Sequence, residues 1–212
     1  MQTVALIDYG SGNLRSAEKA LVRAADGRSK IVVSHDPEAV ARADRVVLPG
    51  VGAFKACMDA LAARPGLVEA MTEAVQARGA PFLGVCVGMQ LLASRGLEFG
   101  VTPGLDWIGG EVRRLQSDDP AAKIPHMRWN ALCGVPGQPL VAPLSDPRQT
   151  VYFTHSFAFF PNDDKDVAAW VDHGGRFPAA VARANVAGVQ FHPEKSQASG
   201  LSLLARFLEW RP

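Results

Sequence analysis

Cysteine is scarce in this 212-residue chain: Cys57, Cys86 and Cys133 are widely spaced and odd in number. No two form a C-x-x-C pair, so neither a disulfide framework nor a structural zinc site is suggested. Excess charge of either sign is also missing. Twenty-two Lys and Arg against 21 Asp and Glu leave a net +1, whereas nucleic-acid and acidic-membrane binders normally carry a basic surplus. Long apolar runs are lacking too. The uncharged stretch Gly79 to Ser94 is broken by glycines and falls short of the roughly 20 apolar residues of a membrane span. The opening run Met1–Asp8 carries an acid where a secretory signal would stay apolar. A reducing cytoplasm is the expected setting.

What is present is apolar. Hydrophobic residues make up 48%; counting the 20 Gly in place of the 2 Tyr raises this to roughly 57%, against about 45–50% on average. Disorder is excluded for most of the chain. A sizeable core is expected, with apolar surface left over for a partner.

The first half alternates short apolar runs with helical periodicity. Thr3–Ile7, Ile31–Val33, Arg45–Leu48 and Pro81–Val85 read as strands. Asn13–Ala25 reads as an amphipathic helix with Leu14, Ala17, Leu21 and Val22 on one face. Further helices are predicted over Ala53–Ala63, Gly66–Arg78 and Met89–Ser94. Such alternation implies a parallel sheet covered on both faces. The second half changes to strands divided by Gly, Pro and Asp turns: Val112–Leu115, Trp129–Leu132, Val151–Phe153, Val167–Val171, Ala179–Arg183 and Ala187–Phe191. A helix over Leu201–Trp210 closes the chain. The expected fold is α/β with an antiparallel-rich second half, in one domain.

The most informative segment is Pro81–Leu92. Within it, Gly84-Val85-Cys86-Val87-Gly88 fits the G-x-nucleophile-x-G elbow, with strand before and helix after. Cys86 would sit at a helix N-terminus, where N–H groups and the helix dipole favour a thiolate, and the Val87 amide could stabilise an oxyanion. A buried structural cysteine is the competing reading. Cys57 and Cys133 have no such context.

A cysteine nucleophile needs a base and the base an orienting group. Of His35, His126, His155, His173 and His192, only His192 follows a strong strand, within Gln190-Phe-His-Pro-Glu194. Pro193 pushes His192 towards extended backbone, where residues two apart share a face. His192 and Glu194 should therefore point together into the crevice at the carboxyl ends of the parallel strands, where Cys86 also lies. Cys, His and Glu would complete a triad.

These residues match a family. The chain resembles the class I glutamine amidotransferases, most closely the glutaminase subunits of imidazole glycerol phosphate synthase. The likeness runs through Asp8–Leu14, Leu48–Phe54, Gly84–Gln90, Pro125–Asn130, Tyr152–Phe157 and Gln190–Ser196. It implies a flavodoxin-like, mostly parallel sheet over residues 1–212 as one glutamine amidotransferase domain. In the chemistry it implies, Cys86 attacks the glutamine carboxamide, His192 transfers protons and Glu194 orients the imidazole. Gly50, Val51 and Gly52 resemble the oxyanion strand, although a tight Pro-Gly loop would look the same. Gln90, His155, Ser156 and Phe157 resemble the glutamine-holding elements. No cofactor and no metal are implied.

The partner implied is a (β/α)8-barrel cyclase that receives the ammonia in histidine biosynthesis. Asn13, His126, Met127, Trp129, Asn130 and Lys195 are the positions expected to face it. Core packing is the alternative for Met127 and Trp129. Two departures stand out: Arg128 replaces the family's usual Gly, and Gly104–Val112 strays from the usual run. Neither touches the triad. Rival readings are the glutaminase subunit of an anthranilate, guanylate or pyridoxal phosphate pathway, or a non-catalytic scaffold subunit.

Overall fold

The computed structural model describes residues 1–10 and 12–212; Ser11, in the Asp8–Leu14 run, lies outside the described residues. The first half runs β1 (Gln2–Ile7), α1 (Leu14–Ala25), β2 (Ser29–Ser34), α2 (Pro37–Ala41), β3 (Arg45–Gly50), α3 (Phe54–Ala62), α4 (Leu67–Thr72), β4 (Phe82–Cys86) and α5 (Val87–Gln90). The strands that follow are β5 (Arg95–Gly96), β6 (Thr102–Pro103), β7 (Gly110–Arg114), β8 (His126–Ala131), β9 (Cys133–Gly134), β10 (Thr150–His155) and β11 (Phe157–Pro161). The chain finishes with β12 (Val167–Asp172), β13 (Arg176–Arg183), β14 (Val186–Val189) and α6 (Gln197–Glu209).

Eight strands form one sheet in the order β2-β1-β3-β4-β14-β13-β12-β9. The pairings from β2 to β14 are parallel and those from β14 to β9 antiparallel, as the change in sequence character implied. β3 and β4 are buried at every residue, as central strands covered on both faces must be. β1 lies between β2 and β3, so the α1 and α2 crossovers run in opposite directions. With right-handed connections they fall on opposite faces of the sheet. α1 packs with α6, and α4 with α2 and α3. Two smaller sheets, β10-β8 and β11-β7-β5-β6, cover the carboxyl end of the main one.

Several expectations change. Val22 is 54% exposed; the buried stripe of α1 passes through Leu21, Ala24 and Ala25 instead. The helix expected over Gly66–Arg78 ends at Thr72 and continues as a π-helical turn, Glu73–Ala77. The helix expected over Met89–Ser94 starts earlier and is shorter, at Val87–Gln90. Its continuation is prevented because the Leu91, Leu92 and Ala93 carbonyls accept the amides of Leu105, Trp107 and Asp106. Helix α2 and strands β5, β6, β9 and β11 add to the expected elements. Among the described residues, no helix is long and apolar enough to cross a membrane.

Candidate active site

The site begins at the β4–α5 junction. Cys86 takes φ 55° and ψ −111°, a left-handed conformation that costs a non-glycine residue roughly 1–3 kcal/mol. It turns the chain from strand into helix within one residue. Flanking glycines make that possible: a Cβ on Gly84 would stand 2.5 Å from the Gly88 carbonyl oxygen, and one on Gly50 would stand 2.6 Å from the Gly88 nitrogen. β3, β4 and α5 therefore touch backbone to backbone. With only four residues, α5 contributes its first N–H groups more than a macrodipole.

His192 lies three residues past β14, which flanks β4 on one side while β3, whose Gly50 pairs with Cys86, flanks it on the other. Its backbone is extended, φ −100° and ψ 100°, and its N–H donates to the Tyr152 carbonyl at 3.0 Å. His192 Nδ1 lies 2.8 Å from Glu194 Oε1, with both side chains buried. Cys86 faces the same cleft as the imidazole and acts on its charge. Burial alone would lower the His192 pKa. Interaction with Cys86 and with Glu194 outweighs it and pushes the imidazole up to about 9.

Cys86 and His192 open onto a cleft of about 390 Å³. Val51, Gly52 and Val87 line one side, and Gln90, His155, Ser156 and Phe157 the other. Gly50 is set back from the wall, where it serves the close approach of β3 to α5. The Val51 carbonyl accepts the Cys57 thiol at 3.3 Å, so Cys57 packs against this loop. The Tyr9 hydroxyl donates to the Pro49 carbonyl at 2.8 Å.

The far wall rests on a buried histidine row. Because a carbonyl only accepts, His155 Nδ1–H donates to the Phe157 carbonyl, 2.9 Å away. His155 Nε2 must then accept from His126 Nδ1–H at 3.1 Å, and His126 Nε2 from Asn130 Nδ2 at 3.2 Å. Burial and the neighbouring rings lower His126 to about 3. Burial also takes His155 down to about 4, against the opposing pull of the Phe157 carbonyl. Both rings are neutral at pH 7.

Of the positions expected to face a partner, Asn13 and Lys195 are exposed, as are Met127 (59%) and Trp129 (40%), so neither apolar side chain belongs to the core. Asn130 is half-buried. His126 departs from the expectation. It is fully enclosed, stacked between Phe153 and His173, and supports the cleft wall from behind. Arg128 is exposed between Met127 and Trp129.

Other residues near the site, Pro125 of the cleft wall among them, were not assigned a role from sequence. Glu98 and Thr154 line the cleft, and Glu98 Oε2 accepts the Phe54 amide at 2.9 Å. The buried Ser196 hydroxyl donates to the His192 carbonyl at 2.6 Å and accepts the Tyr152 amide at 2.9 Å, holding the His192 turn to β10. Gln190 is fully buried beside Cys86. Only the Gln190-Phe-His run and the Glu-Lys-Ser ending hinted at the last two. A larger groove of about 660 Å³ runs past Trp129, Arg148 and Ser199, but neither a cysteine nor a histidine lines it. Among the described residues, no group of three or more His, Cys, Asp or Glu is arranged to hold a metal ion. A thiol, an imidazole and a carboxylate in series can perform acyl transfer through a covalent intermediate.

The family model for glutamine amidotransferase class-I matches residues 5–210. The chain is 63% identical over 215 residues to the imidazole glycerol phosphate synthase subunit HisH of Caulobacter vibrioides, covering 100% of both chains. It is 53% identical to the protein of that name from Zymomonas mobilis, covering 99% of this chain and 97% of the other. A solved glutamine amidotransferase superposes with TM-score 0.71 at 20% identity, covering 97% of each chain. Another, from Thermotoga maritima, gives 0.61 at 15%, covering 98% of this chain and 83% of that one. At such identities the structures establish the fold alone.

Proposed function

The chain belongs to the class-I glutamine amidotransferase family, and from that premise we propose that it is the glutaminase subunit of an imidazole glycerol phosphate synthase. The observation that carries this reading is the meeting of Cys86 and His192 in one cleft, with Glu194 against the imidazole Nδ1, in a chain similar along its whole length to subunits of that name. Residues 1–212 act as a single amidotransferase domain, in keeping with the continuous hydrophobic core.

Cys86 Sγ attacks the carboxamide carbon of glutamine, and its proton is held on His192. The tetrahedral oxygen is stabilised by amides of the Gly50–Gly52 loop and of Val87. His192 then gives the proton to the departing nitrogen, and ammonia leaves behind a γ-glutamyl thioester. Water, deprotonated by His192, attacks that thioester. Glutamate leaves, and the proton returns to Cys86. One glutamine and one water become one glutamate and one ammonia, with no cofactor. Glu194 fixes the tautomer of His192 and stabilises its charged form. Gln90, His155, Ser156 and Phe157 hold the amino acid, and the Glu98 carboxylate suits its ammonium group.

The ammonia passes to a cyclase subunit, a (β/α)8 barrel, which forms imidazole glycerol phosphate and aminoimidazole carboxamide ribonucleotide in histidine biosynthesis in the cytoplasm. Met127 and Trp129 present apolar surface to that subunit, with Asn13, Asn130 and Lys195 around them. The test is glutamate release by the lone chain and by the chain with cyclase and its ribonucleotide ligand. Slow release alone and fast release together are expected. A fully active lone chain would overturn the coupling, and capture of a partner that is not a (β/α)8 cyclase would overturn the pathway.

A further inference from the structure

Gln190 stands where a second hydrogen-bond donor to the nucleophile would be needed. It follows β14 by one residue, its backbone N–H is bound to the Ala179 carbonyl at 2.8 Å, and it is fully buried. Its Nε2 lies 3.7 Å from Cys86 Sγ. The amide has no freedom to turn over. Its oxygen accepts Gln90 Nε2 at 3.0 Å, and Gln90 Nε2 also donates to the Phe157 carbonyl at 2.9 Å. Both hydrogens of Gln90 are thereby committed. A flipped Gln190 would set two NH2 groups against each other and a carbonyl oxygen against sulfur.

The chain just past β14 bends and brings two side chains to Cys86, an amide from Gln190 and an imidazole from His192. The two donors differ in kind. His192 gives up its charge when it hands the proton to a leaving nitrogen, whereas an amide N–H does not titrate. Cys86 is 4% exposed, and little water is available to solvate a negative sulfur there.

We propose that Gln190 is a positioning residue of the glutaminase reaction, whose amide N–H, oriented by Gln90, holds the Cys86 sulfur in its attacking position and stabilises its negative charge. This rests on the reading of Cys86 as nucleophile. The amide N–H bonds more strongly to thiolate than to thiol. It therefore favours attack, and it favours expulsion of the sulfur when water cleaves the thioester.

The test is iodoacetamide labelling of Cys86 against pH in the full-length chain, followed on the Cys86 peptide by mass spectrometry, with glutamine turnover measured in the cyclase complex. Gln190→Met keeps the volume and removes the donor. Gln190→Glu keeps an acceptor for Gln90 and sets a carboxylate beside the sulfur. The labelling profile should move to higher pH by about one unit in Gln190→Met, further in Gln190→Glu, with kcat down about tenfold and KM within about twofold, for loss of one charge-assisted bond. Profiles coinciding with wild type would overturn the proposal. Should neither variant fold, the Gln190 side-chain amide signal of the wild-type chain decides by NMR. It should shift when Cys86 is alkylated, and an unmoved signal would be equally fatal. The nucleophile reading fails separately, if alkylating Cys86 leaves turnover unchanged.

Discussion

Gly88 is pressed against Leu48: a Cβ built on it would stand 1.9 Å from the Leu48 carbonyl oxygen. The neighbour is main chain of a central strand and cannot turn aside. Gly88→Ala must therefore separate α5 from β3 and move Cys86 with it. Overpacking of this kind costs about 1–3 kcal/mol, and backbone contact puts this position at the upper end. Urea unfolding should report that loss, together with a fall in glutaminase activity larger than the fraction unfolded explains.

Glu194→Gln keeps the shape of the hydrogen bond to His192 Nδ1 and removes the charge. Turnover should fall about 10²–10⁴-fold, the range seen when the acid of a triad is neutralised. Stability should respond as well. With a folded pKa of about 9 against 6.5 in the unfolded chain, His192 contributes stability that is complete below pH 6.5 and lost between there and pH 9. In Glu194→Gln that alkaline loss should be smaller and finish at lower pH, as urea midpoints at pH 6.5, 8 and 9 would show.

His126 and His155 act on the acid side. Their folded pKa values of about 3 and about 4 lie below the unfolded 6.5, so the unfolded chain binds two protons that the folded chain refuses. Stability should fall as pH drops from 6.5 towards 4, by about 1.4 kcal/mol per pH unit for each ring. His192 is charged in both states over that window and adds no slope. Equilibrium unfolding at pH 7, 5.5 and 4.5 would detect it.

Met127 and Trp129 stand exposed on β8. Met127→Ala and Trp129→Ala should leave the unfolding midpoint of the lone chain nearly unchanged, within about 0.5 kcal/mol. Affinity for the cyclase should fall, by tenfold or more for Trp129, as expected of an aromatic anchor. Titration calorimetry on the two subunits would check both variants.

Much of this arrangement was legible in the sequence. β3 and β4 announce themselves because strands buried on both faces read as continuous apolar runs. The elbow is visible because only glycine tolerates contacts like that of Gly88 with Leu48. His192 and Glu194 do meet, but the means differ from the expected extended run: Pro193–Lys195 closes a 3-10 turn that brings Glu194 back to the imidazole. The rest depended on distant chain. The end of α5 was misplaced because the Leu91–Ala93 carbonyls just past it are taken by the Leu105–Ile108 loop, which local periodicity cannot reveal. Strand β11 was missed because only Ser156 separates it from β10, although the two lie in different sheets. Gln190 carries no local mark of its contact, since Cys86 is 104 positions away. His126 sits in an exposed strand, and only its stacking with Phe153 and His173 shows that it faces inward.

The account stands most directly on Cys86. In the complex with the cyclase, Cys86→Ala should abolish synthesis driven by glutamine and leave synthesis from added ammonium salt at the wild-type rate. Loss of both activities would make Cys86 a residue of assembly, and survival of the glutamine-driven reaction would contradict the nucleophile assignment outright.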